Sequence, residues 1–245
     1  MSKLTDRQDA YGHMVYSAYH GQGGYEVNER DDGFVGLSAG PPAYLAAYKD
    51  WPAHQRRGIR LARGKVLDVG CGAGRCALYL QQQGLDVVGV DVSPLAIKVC
   101  KLRGLKKARV MSVTQLSHRL GTFDTILMYG NNFGLFGGPK RARWLLRRFG
   151  RMTSDRARII AESNDPHQTD HPCHRAYHRR NRRRGRMPGQ LRIRTRYRTY
   201  ATPWFDYLLV SQDEMRSILA GTGWHVDRFI DSKGSHYVAV ITKDS

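Results

Sequence analysis

One short segment of the chain is suited to binding a nucleotide-like ligand. The β-branched run Lys65–Val69 ends at three closely spaced glycines, Gly70, Gly72 and Gly74, and a helix-like segment follows. Glycine allows a sharp backbone turn and the close approach of a ligand. The next apolar run ends at Asp91, where a carboxylate can accept hydrogen bonds from both hydroxyls of a ribose. The pattern therefore predicts a ribose-containing ligand, the alternative being a tight turn that binds nothing.

The residues around these glycines indicate which kind of nucleotide would bind. A dinucleotide fingerprint reads G-x-G-x-x-G, but its sixth position here is Arg75, and the spacing is G-x-G-x-G. Asp68 stands two residues before Gly70, where a carboxylate would repel a pyrophosphate and attract a cationic ligand. The sequence therefore favours a positively charged nucleoside over a dinucleotide.

Strands and helices alternate around the glycine segment. Short apolar runs predict five strands at Lys65–Val69, Val87–Val90, Ala108–Val113, Thr125–Met128 and Ala157–Ala161. Helical patterns separate them at Ala77–Gln83, Pro94–Leu102 and Lys140–Phe149. This spacing is typical of βαβ units, whose right-handed connections give a parallel, doubly wound α/β sheet.

The first 55 residues are rich in Tyr and Gly. They predict short helices near Tyr11–Tyr19 and Ala43–Lys49, joined by a loop through Gly21–Gly40. Pro41-Pro42 marks the start of the second helix, because proline suits a first helical turn. We expect this part to form an N-terminal helical lid.

The regular alternation stops after Glu162. Residues 164–190 are polar and predicted to be irregular, whereas Gln190–Tyr200 alternates strictly and predicts a strand with one cationic face. Trp204–Val210 is predicted to be its hairpin partner. Ser211 with Glu214 forms a capping box that opens a helix, and two strands, His225–Ile230 and Tyr237–Thr242, close the chain.

The segments Val66–Arg75 and Val88–Pro94 resemble class I S-adenosylmethionine-dependent methyltransferases, and Phe123–Leu127 resembles the fourth strand of that family. The resemblance implies a doubly wound, mostly parallel seven-stranded sheet with an antiparallel C-terminal edge. It implies a single domain over residues 1–245. Its parts are a lid (1–55), a cofactor-binding core (56–163), an Arg-rich acceptor-side insertion (164–210) and a C-terminal helix with strands (211–245).

The same resemblance implies S-adenosyl-L-methionine as cofactor and S-adenosyl-L-homocysteine as product. The residues that it assigns to the cofactor are Asp68, Gly70, Cys71, Gly72, Gly74, Arg75, Asp91, Val92, Ser112, Val113, Thr114, Tyr129 and Gly130. The family often has an acid after strand three to meet the adenine; residues 111–115 contain none, so Ser112 or Thr114 would serve. Tyr16, with Tyr11 and Tyr44, is a candidate for an aromatic wall around the sulfonium, the alternative being core packing.

The acceptor side is predicted at the carboxyl ends of strands four and five, where ligands of open α/β sheets bind. Glu162 and His167 are the candidate bases, with Asp165 beside them, and they are needed only if the acceptor must lose a proton. Asn131 is the third candidate catalytic residue, since its amide could orient an acceptor. The predicted substrate-binding residues are Asn132, Tyr11, Tyr44, Arg194 and Arg196. The alternative for the polar side chains is hydrogen bonding within turns.

The charge of the chain is unusual. Forty Lys and Arg residues against 21 Asp and Glu give a formal net charge of +19, which suggests an anionic partner. Arg175–Arg198 contains eleven arginines and no acid. Four of these arginines alternate along one strand face, so acids elsewhere or an anion must offset their repulsion. The leading hypothesis is therefore methyl transfer to an O or N atom of a small, possibly anionic, molecule. The alternatives are an RNA methyltransferase and a non-catalytic cofactor-binding scaffold.

The remaining composition excludes other classes. The four cysteines form no disulfide framework, no apolar run approaches the roughly 18 residues of a membrane span, and the first residues lack the apolar region of a secretory signal. We therefore expect a cytoplasmic protein with no membrane partner. His167, His171, Cys173, His174 and His178 cluster in the sequence, but one cysteine without a second pair favours a polar loop over a zinc site, so no metal is predicted.

Overall fold

The computed structural model describes residues 4–244. The strands are β1 Val27–Arg30, β2 Val35–Leu37, β3 Lys65–Val69, β4 Asp86–Asp91, β5 Ala108–Val110, β6 Phe123–Met128, β7 Thr153–Asn164, β8 Gln190–Tyr197, β9 Tyr200–Ala201, β10 Phe205–Leu208, β11 Trp224–Asp231 and β12 His236–Lys243. The α-helices are α1 Ala10–Tyr19, α2 Gly40–Leu45, α3 Ala53–Ile59, α4 Arg75–Gln82, α5 Pro94–Leu102, α6 Pro139–Gly150, α7 Pro172–Arg183 and α8 Gln212–Leu219.

A seven-stranded sheet with the order β11-β12-β7-β6-β3-β4-β5 forms the centre of the molecule. Its strands β7, β6, β3, β4 and β5 pair in parallel, and β12 pairs antiparallel with both β7 and β11. The predicted fold class, a mostly parallel α/β sheet with an antiparallel C-terminal edge, is confirmed. Among residues 4–244, no helix combines the length and apolar character that crossing a membrane requires.

Both faces of this sheet are covered by helices. The β3 strand reads Lys-Val-Leu-Asp-Val and is buried from Val66 onward, the continuous apolar pattern of a strand covered on both sides. Val66 packs with residues of α3, α4 and α5, whereas its neighbour Leu67 packs with residues of α6 and α8. Alternate side chains along one strand thus reach opposite helical layers, which makes the sheet doubly wound.

A second, smaller sheet joins distant parts of the chain, with the order β10-β8-β1-β2 and with β9 paired to β8. The predicted hairpin of β8 and β10 is confirmed. The predicted loop through Gly21–Gly40 is wrong, because β1 and β2 form a hairpin there and β1 pairs antiparallel with β8. The β1 sequence, Val-Asn-Glu-Arg, shows no apolar alternation. Its strand conformation depends on a partner far along the chain, so the predicted N-terminal lid is helical only in part.

The predicted irregular segment 164–190 is wrong over Pro172–Arg183, which forms α7. His171 caps this helix, and Pro172 occupies its first turn. Tyr177, His178 and Asn181 form its buried face, and the side-chain amide of Asn181 donates to the carbonyl oxygens of Pro188 and Gln190 at 3.0 and 2.9 Å. The helix is therefore fixed by three polar or aromatic side chains that the apolar periodicity of the sequence does not reveal.

Smaller differences concern the bounds of elements. The predicted third strand is shorter, since β5 ends at Val110 and a 3₁₀ turn follows at Val113–Gln115. The predicted fifth strand is longer and runs over Thr153–Asn164. Helix α3 is not predicted by the sequence, and His54 and Gln55 on it are buried.

Candidate active site

The glycine segment forms a tight loop between β3 and α4. Gly70, Gly72 and Gly74 all have positive φ values, of 72°, 53° and 79°, a conformation that L side chains rarely adopt. The amides of Gly70 and Cys71 donate to the carbonyl oxygen of Val90 at 2.8 and 3.0 Å. The loop is thereby fixed against the end of β4, and its glycines are required by the backbone conformation.

Asp91 holds this loop from the neighbouring strand. One carboxylate oxygen accepts from the Gly72 amide and the other from the Ser93 amide, each at 2.9 Å. Burial raises the pKa of Asp91 to about 6, although these two amides act in the opposite direction. Each carboxylate oxygen can accept a further hydrogen bond, so Asp91 keeps acceptor capacity for a ligand beside the loop. Val92 follows directly.

Asp68 is a buried carboxyl group at the carboxyl end of β3. It is 2% exposed, and its Oδ2 atom has no hydrogen-bond partner within residues 4–244. Burial raises its pKa to about 7, while Arg75 acts in the opposite direction. The Arg75 guanidinium stacks on Trp51 at 4.5 Å and donates to the side chain of Gln55. A buried, unpaired carboxylate oxygen is unfavourable, and a cationic ligand group would satisfy it.

Helix α1 lies over the glycine loop. Asp9 accepts hydrogen bonds from the amides of Gly12 and Leu95, each at 3.0 Å, and so joins the start of α1 to α5. A Cβ atom added at Gly72 would collide with the hydroxyl of Tyr11. Tyr11 in turn packs edge-on against Tyr44 at a ring distance of 5.1 Å. These two predicted aromatic residues therefore lie beside the loop.

Tyr16, the third predicted aromatic residue, packs with Tyr11 and Tyr44 against the apolar cluster that includes Ala73 of the glycine loop. The ammonium of Lys98 on α5 stands 4.7 Å from its ring centre, and the Tyr16 ring also contacts His20. The role of Tyr16 in an aromatic wall stays a prediction. The Tyr44 hydroxyl donates to the buried Glu26 at 2.8 Å, a contact that the sequence does not indicate.

The predicted adenine segment begins next to Asp91. The amide of Met111 donates to the Asp91 carbonyl oxygen at 2.8 Å. Ser112 then caps the 3₁₀ turn that contains Val113 and Thr114, and its hydroxyl lies 3.1 Å from that of Thr114. The fold therefore brings these three residues to the strand ends at which the glycine loop lies, but the hydroxyl groups of Ser112 and Thr114 already bond to each other.

The residues after β6 connect the glycine loop to the acceptor side. The Asn132 side chain donates to the carbonyl oxygens of Val69 and Gly70 at 3.0 and 2.8 Å. Asn131 has a left-handed backbone with φ of 62°, and its buried Oδ1 atom has no partner among the described residues. The Tyr207 hydroxyl donates to the Asn131 carbonyl oxygen at 2.6 Å. Asn132 thus supports the loop, whereas Asn131 keeps a free acceptor atom.

Glu162 is the centre of a buried hydrogen-bond network. Its carboxylate accepts from His54 at 3.0 Å, from the Gln55 amide at 2.8 and 3.0 Å and from the Gly130 backbone at 2.7 Å. Burial acts to raise its pKa, but the hydrogen bonds from His54 and Gln55 hold the pKa of Glu162 below its ordinary value. The carboxylate of Glu162 is therefore already hydrogen-bonded within the fold, and its role as a base stays a prediction. Tyr129, whose hydroxyl donates to the Gln55 carbonyl oxygen at 3.0 Å, belongs to the same region.

A cavity of about 520 Å³ lies between the end of β7 and the second sheet. We call it the inter-sheet cavity. Its lining combines apolar side chains with amides, imidazoles, one carboxyl group and one guanidinium. Among its lining residues are Asn28, Arg30, Phe34, Leu37, Asn164, Asp165, His174, His178, Leu191, Ile193, Tyr207 and Leu209. Tyr207 joins this cavity to Asn131, and Asn132 joins that segment to the glycine loop.

Three other predicted residues lie outside this lining. His167 is exposed and lies 3.3 Å from Glu214 of α8. Arg194 and Arg196 both pair with Glu29 of β1, at 2.7 and 2.6 Å. The repulsion expected along the cationic face of β8 is therefore offset by an acid on the adjacent strand, and these two arginines have an internal partner.

The comparisons with known proteins agree with this geometry. A methyltransferase-domain family model matches residues 66–155. The chain is similar in structure to a SAM-dependent methyltransferase from Bacteroides fragilis, solved in complex with S-adenosyl-L-homocysteine. Their TM-score is 0.85 at 25% identity, over 100% of this chain and 98% of that one.

Curated relatives match over shorter segments. A ubiquinone biosynthesis O-methyltransferase of Xanthomonas oryzae pv. oryzae is 38% identical over 74 residues, which are 28% of this chain and 31% of that protein. A 2-heptyl-1-hydroxyquinolin-4(1H)-one methyltransferase of Mycobacteroides abscessus is 34% identical over 99 residues, 35% of this chain and 44% of that protein. The match thus spans less than half the length of these two relatives.

Residues 66–155 thus match a methyltransferase domain, and the fold of the whole chain is that of a class I, Rossmann-like, S-adenosylmethionine-dependent methyltransferase. The predicted resemblance and its cofactor class are thereby confirmed for this segment, whereas the activity of the whole protein is a proposal. The site fits this cofactor, since Asp68 offers an unpaired buried carboxylate oxygen to a cationic ligand and Asp91 keeps free acceptor capacity beside the glycine loop. No observation yet tests the roles of individual residues, which stay predictions.

Proposed function

We propose that the protein transfers a methyl group from S-adenosylmethionine to an oxygen or nitrogen atom of a small molecule that binds in the inter-sheet cavity. When bound, the cofactor supplies an activated methyl group on a positively charged sulfur. The observation that carries the proposal is the cavity itself. Its volume of about 520 Å³ lies in the range of sites for small ligands, and it adjoins the segment that supports the glycine loop.

The protein's own contribution would be positioning and exclusion of water. The unpaired Oδ1 atom of Asn131 can accept a hydrogen bond from the hydroxyl or amino group of an acceptor and so direct its lone pair. Tyr207 and Glu162 hold this segment on either side, through the Asn131 carbonyl oxygen and the Gly130 amide. The apolar side chains Leu191 and Ile193 suit a molecule with a hydrophobic face.

The two curated relatives support a small acceptor. Their names describe methyl transfer in ubiquinone biosynthesis and to a hydroxyquinolinone. Both names denote small molecules with a ring system and an oxygen function. The chemistry of the inter-sheet cavity, with Phe34 and aliphatic side chains beside amide groups, is compatible with that class.

One observation favours RNA as a second candidate acceptor. Arg179, Arg182, Arg183 and Arg184 are exposed at the end of α7, and among the described residues they form no ion pair. Such a patch could contact phosphates. The pairing of Arg194 and Arg196 with Glu29 reduces the cationic surface that RNA would meet, so the small acceptor remains the leading proposal.

The test is release of S-adenosylhomocysteine from the purified protein with S-adenosylmethionine. In parallel reactions the protein receives either a small-metabolite ultrafiltrate or total RNA as the source of acceptor, at several salt concentrations. We expect product with the ultrafiltrate, and we expect the Asn131→Gly variant to lose most of it. Glycine keeps the left-handed backbone while removing the amide. The variant Gln82→Ala, at an exposed position at the end of α4, is the control.

Two other outcomes reject the leading proposal. Product only with RNA, with binding that weakens steeply as salt rises, would establish the second candidate. Cofactor binding without product in any fraction would favour a non-catalytic scaffold. Full turnover by Asn131→Gly would remove that residue from the mechanism while leaving the reaction itself in place.

A further inference from the structure

Three side chains able to bind a metal meet at the start of α7. His171, Cys173 and His174 can each offer one ligand atom, and these atoms lie within 4.8 Å of one another. The Cys173 sulfur lies 3.0 Å from Nδ1 of His171 and 3.6 Å from Nδ1 of His174. The cluster is separate from the glycine loop, although His174 also lines the inter-sheet cavity.

The fold orders this cluster from two directions. His171 caps α7 and Pro172 occupies the first turn, so the backbone that carries the three side chains begins a regular helix. The Phe34 ring of the β1–β2 hairpin packs edge-on against both imidazoles, at ring distances of 6.0 Å from His171 and 4.8 Å from His174. The sequence argument against zinc rested on the single cysteine and favoured a polar loop, whereas the structure has an ordered helix start at this position.

The nearest cation is neutralised locally. A guanidinium nitrogen of Arg30 lies 3.0 Å from Nδ1 of His174, a position that would oppose a metal ion. However, Asp32 binds the same guanidinium at 2.7 and 2.8 Å.

We propose that His171, Cys173 and His174 bind one zinc ion. A thiolate with two imidazoles suits zinc, and three protein ligands leave a fourth position for water or another ligand. On binding, the Cys173 thiol loses its proton to solvent and a zinc–sulfur bond forms. Coordination through Nδ1 of His174 replaces the hydrogen bond from Arg30, whose charge stays paired with Asp32. A metal held there would lie at the edge of the inter-sheet cavity.

The test uses the full chain without an affinity tag and without cofactor, titrated with zinc in competition with a chromophoric chelator and, separately, with cobalt. We expect one equivalent of zinc and a thiolate-to-cobalt absorption band. In the Cys173→Ser variant the zinc affinity should fall at least tenfold and the band should disappear. His171→Ala should weaken zinc binding with the band retained. The exposed His118→Ala variant should behave as the unmodified protein.

Affinity should also fall as the pH is lowered, because protons compete for the thiolate and the imidazoles. Circular dichroism checks that each variant is folded. Unchanged zinc affinity in Cys173→Ser, or a cobalt complex without the thiolate band, would overturn the proposal. Since neither acceptor nor turnover enters the measurement, this result stands apart from the proposed methyl transfer.

Discussion

Replacing Glu162 by Gln distinguishes two roles of this residue, as a structural hydrogen-bond acceptor and as a proton acceptor in the reaction. In the structure its carboxylate accepts hydrogen bonds from His54, Gln55 and the Gly130 amide. It joins helix α3, strand β7 and the segment after β6. A glutamine has nearly the same shape, but one of its two acceptor atoms becomes a donor. We therefore expect a loss of folding stability that precedes any effect on chemistry.

The magnitude follows from the donors that lose their acceptor. Whichever way the introduced side-chain amide is oriented, its NH₂ group faces at least one buried N–H. Each unpaired buried donor costs roughly 1–3 kcal/mol, so the free energy of unfolding should fall by about 3 kcal/mol. For a chain of this size that corresponds to a decrease in Tm of roughly 6–12 °C.

The assay is urea unfolding followed by circular dichroism, with thermal melts beside it. Asp155→Asn is the matched control, because Asp155 lies on the same strand but is exposed. The pH dependence supplies a second measurement. The lowered pKa of Glu162 stabilises the folded state fully above the unfolded pKa of about 4.3. That contribution is lost as the pH falls through the lower folded value, so the two proteins should converge in stability in acid.

The reasoning would be refuted by an E162Q protein as stable as the unmodified one. If such a protein also bound cofactor normally, yet had lost turnover together with the acidic limb of its pH–rate profile, Glu162 would be the proton acceptor that the sequence suggests.

Three further predictions concern the cofactor side. Asp91→Ala should weaken S-adenosylmethionine binding by at least about 1.5 kcal/mol, the value of a hydrogen bond to a charged acceptor, as measured by calorimetry. Affinity for this cationic cofactor should fall as the pH is lowered from about 8 to about 5, because the raised pKa values of Asp68 and Asp91, about 7 and about 6, lead to their protonation in that range. Gly72→Val should abolish binding, since its Cβ collides with Tyr11 and its φ is 53°; equilibrium dialysis reports it.

Controls keep these outcomes interpretable. Asp86→Asn removes a half-exposed acid that begins β4 and pairs with Lys107, and it should leave cofactor affinity unchanged. S-adenosylhomocysteine lacks the sulfonium charge, so its affinity should depend less on pH than that of the methyl donor. Unchanged affinity in Asp91→Ala, a flat pH profile or tight binding by Gly72→Val would each contradict the corresponding role.

The sequence predicts the central sheet well because its signals are local. The run Lys65–Val69 has the continuous apolar pattern of a buried strand, and the glycines that follow adopt positive φ values that other residues rarely adopt. Asp91 is likewise placed by its own strand. These features depend on neighbours in the chain, so the spacing of residues suffices to predict them.

The second sheet and the Glu162 network could not be predicted in the same way. Strand β1 has no apolar alternation, and its partner is β8. Glu162 is a residue type expected of a base after strand five. The side chains that hydrogen-bond to it, however, are on α3, a short helix more than 100 residues earlier. The pairing of Arg194 with Glu29 is a further case. Only the tertiary fold decides whether such a charge is free or already satisfied.

The pairing of β1 with β8 has a consequence for how the molecule is made. Asn28 hydrogen-bonds to Thr195, 167 positions later. During synthesis β1 therefore cannot pair with β8 until the ribosome has released most of the polypeptide. Contacts this remote slow folding, because a long loop must close before they form. The parallel strands can assemble earlier, and the inter-sheet cavity is completed last. A nascent chain stalled before residue 190 would therefore contain the glycine loop but lack the strands β8 and β10 of the second sheet.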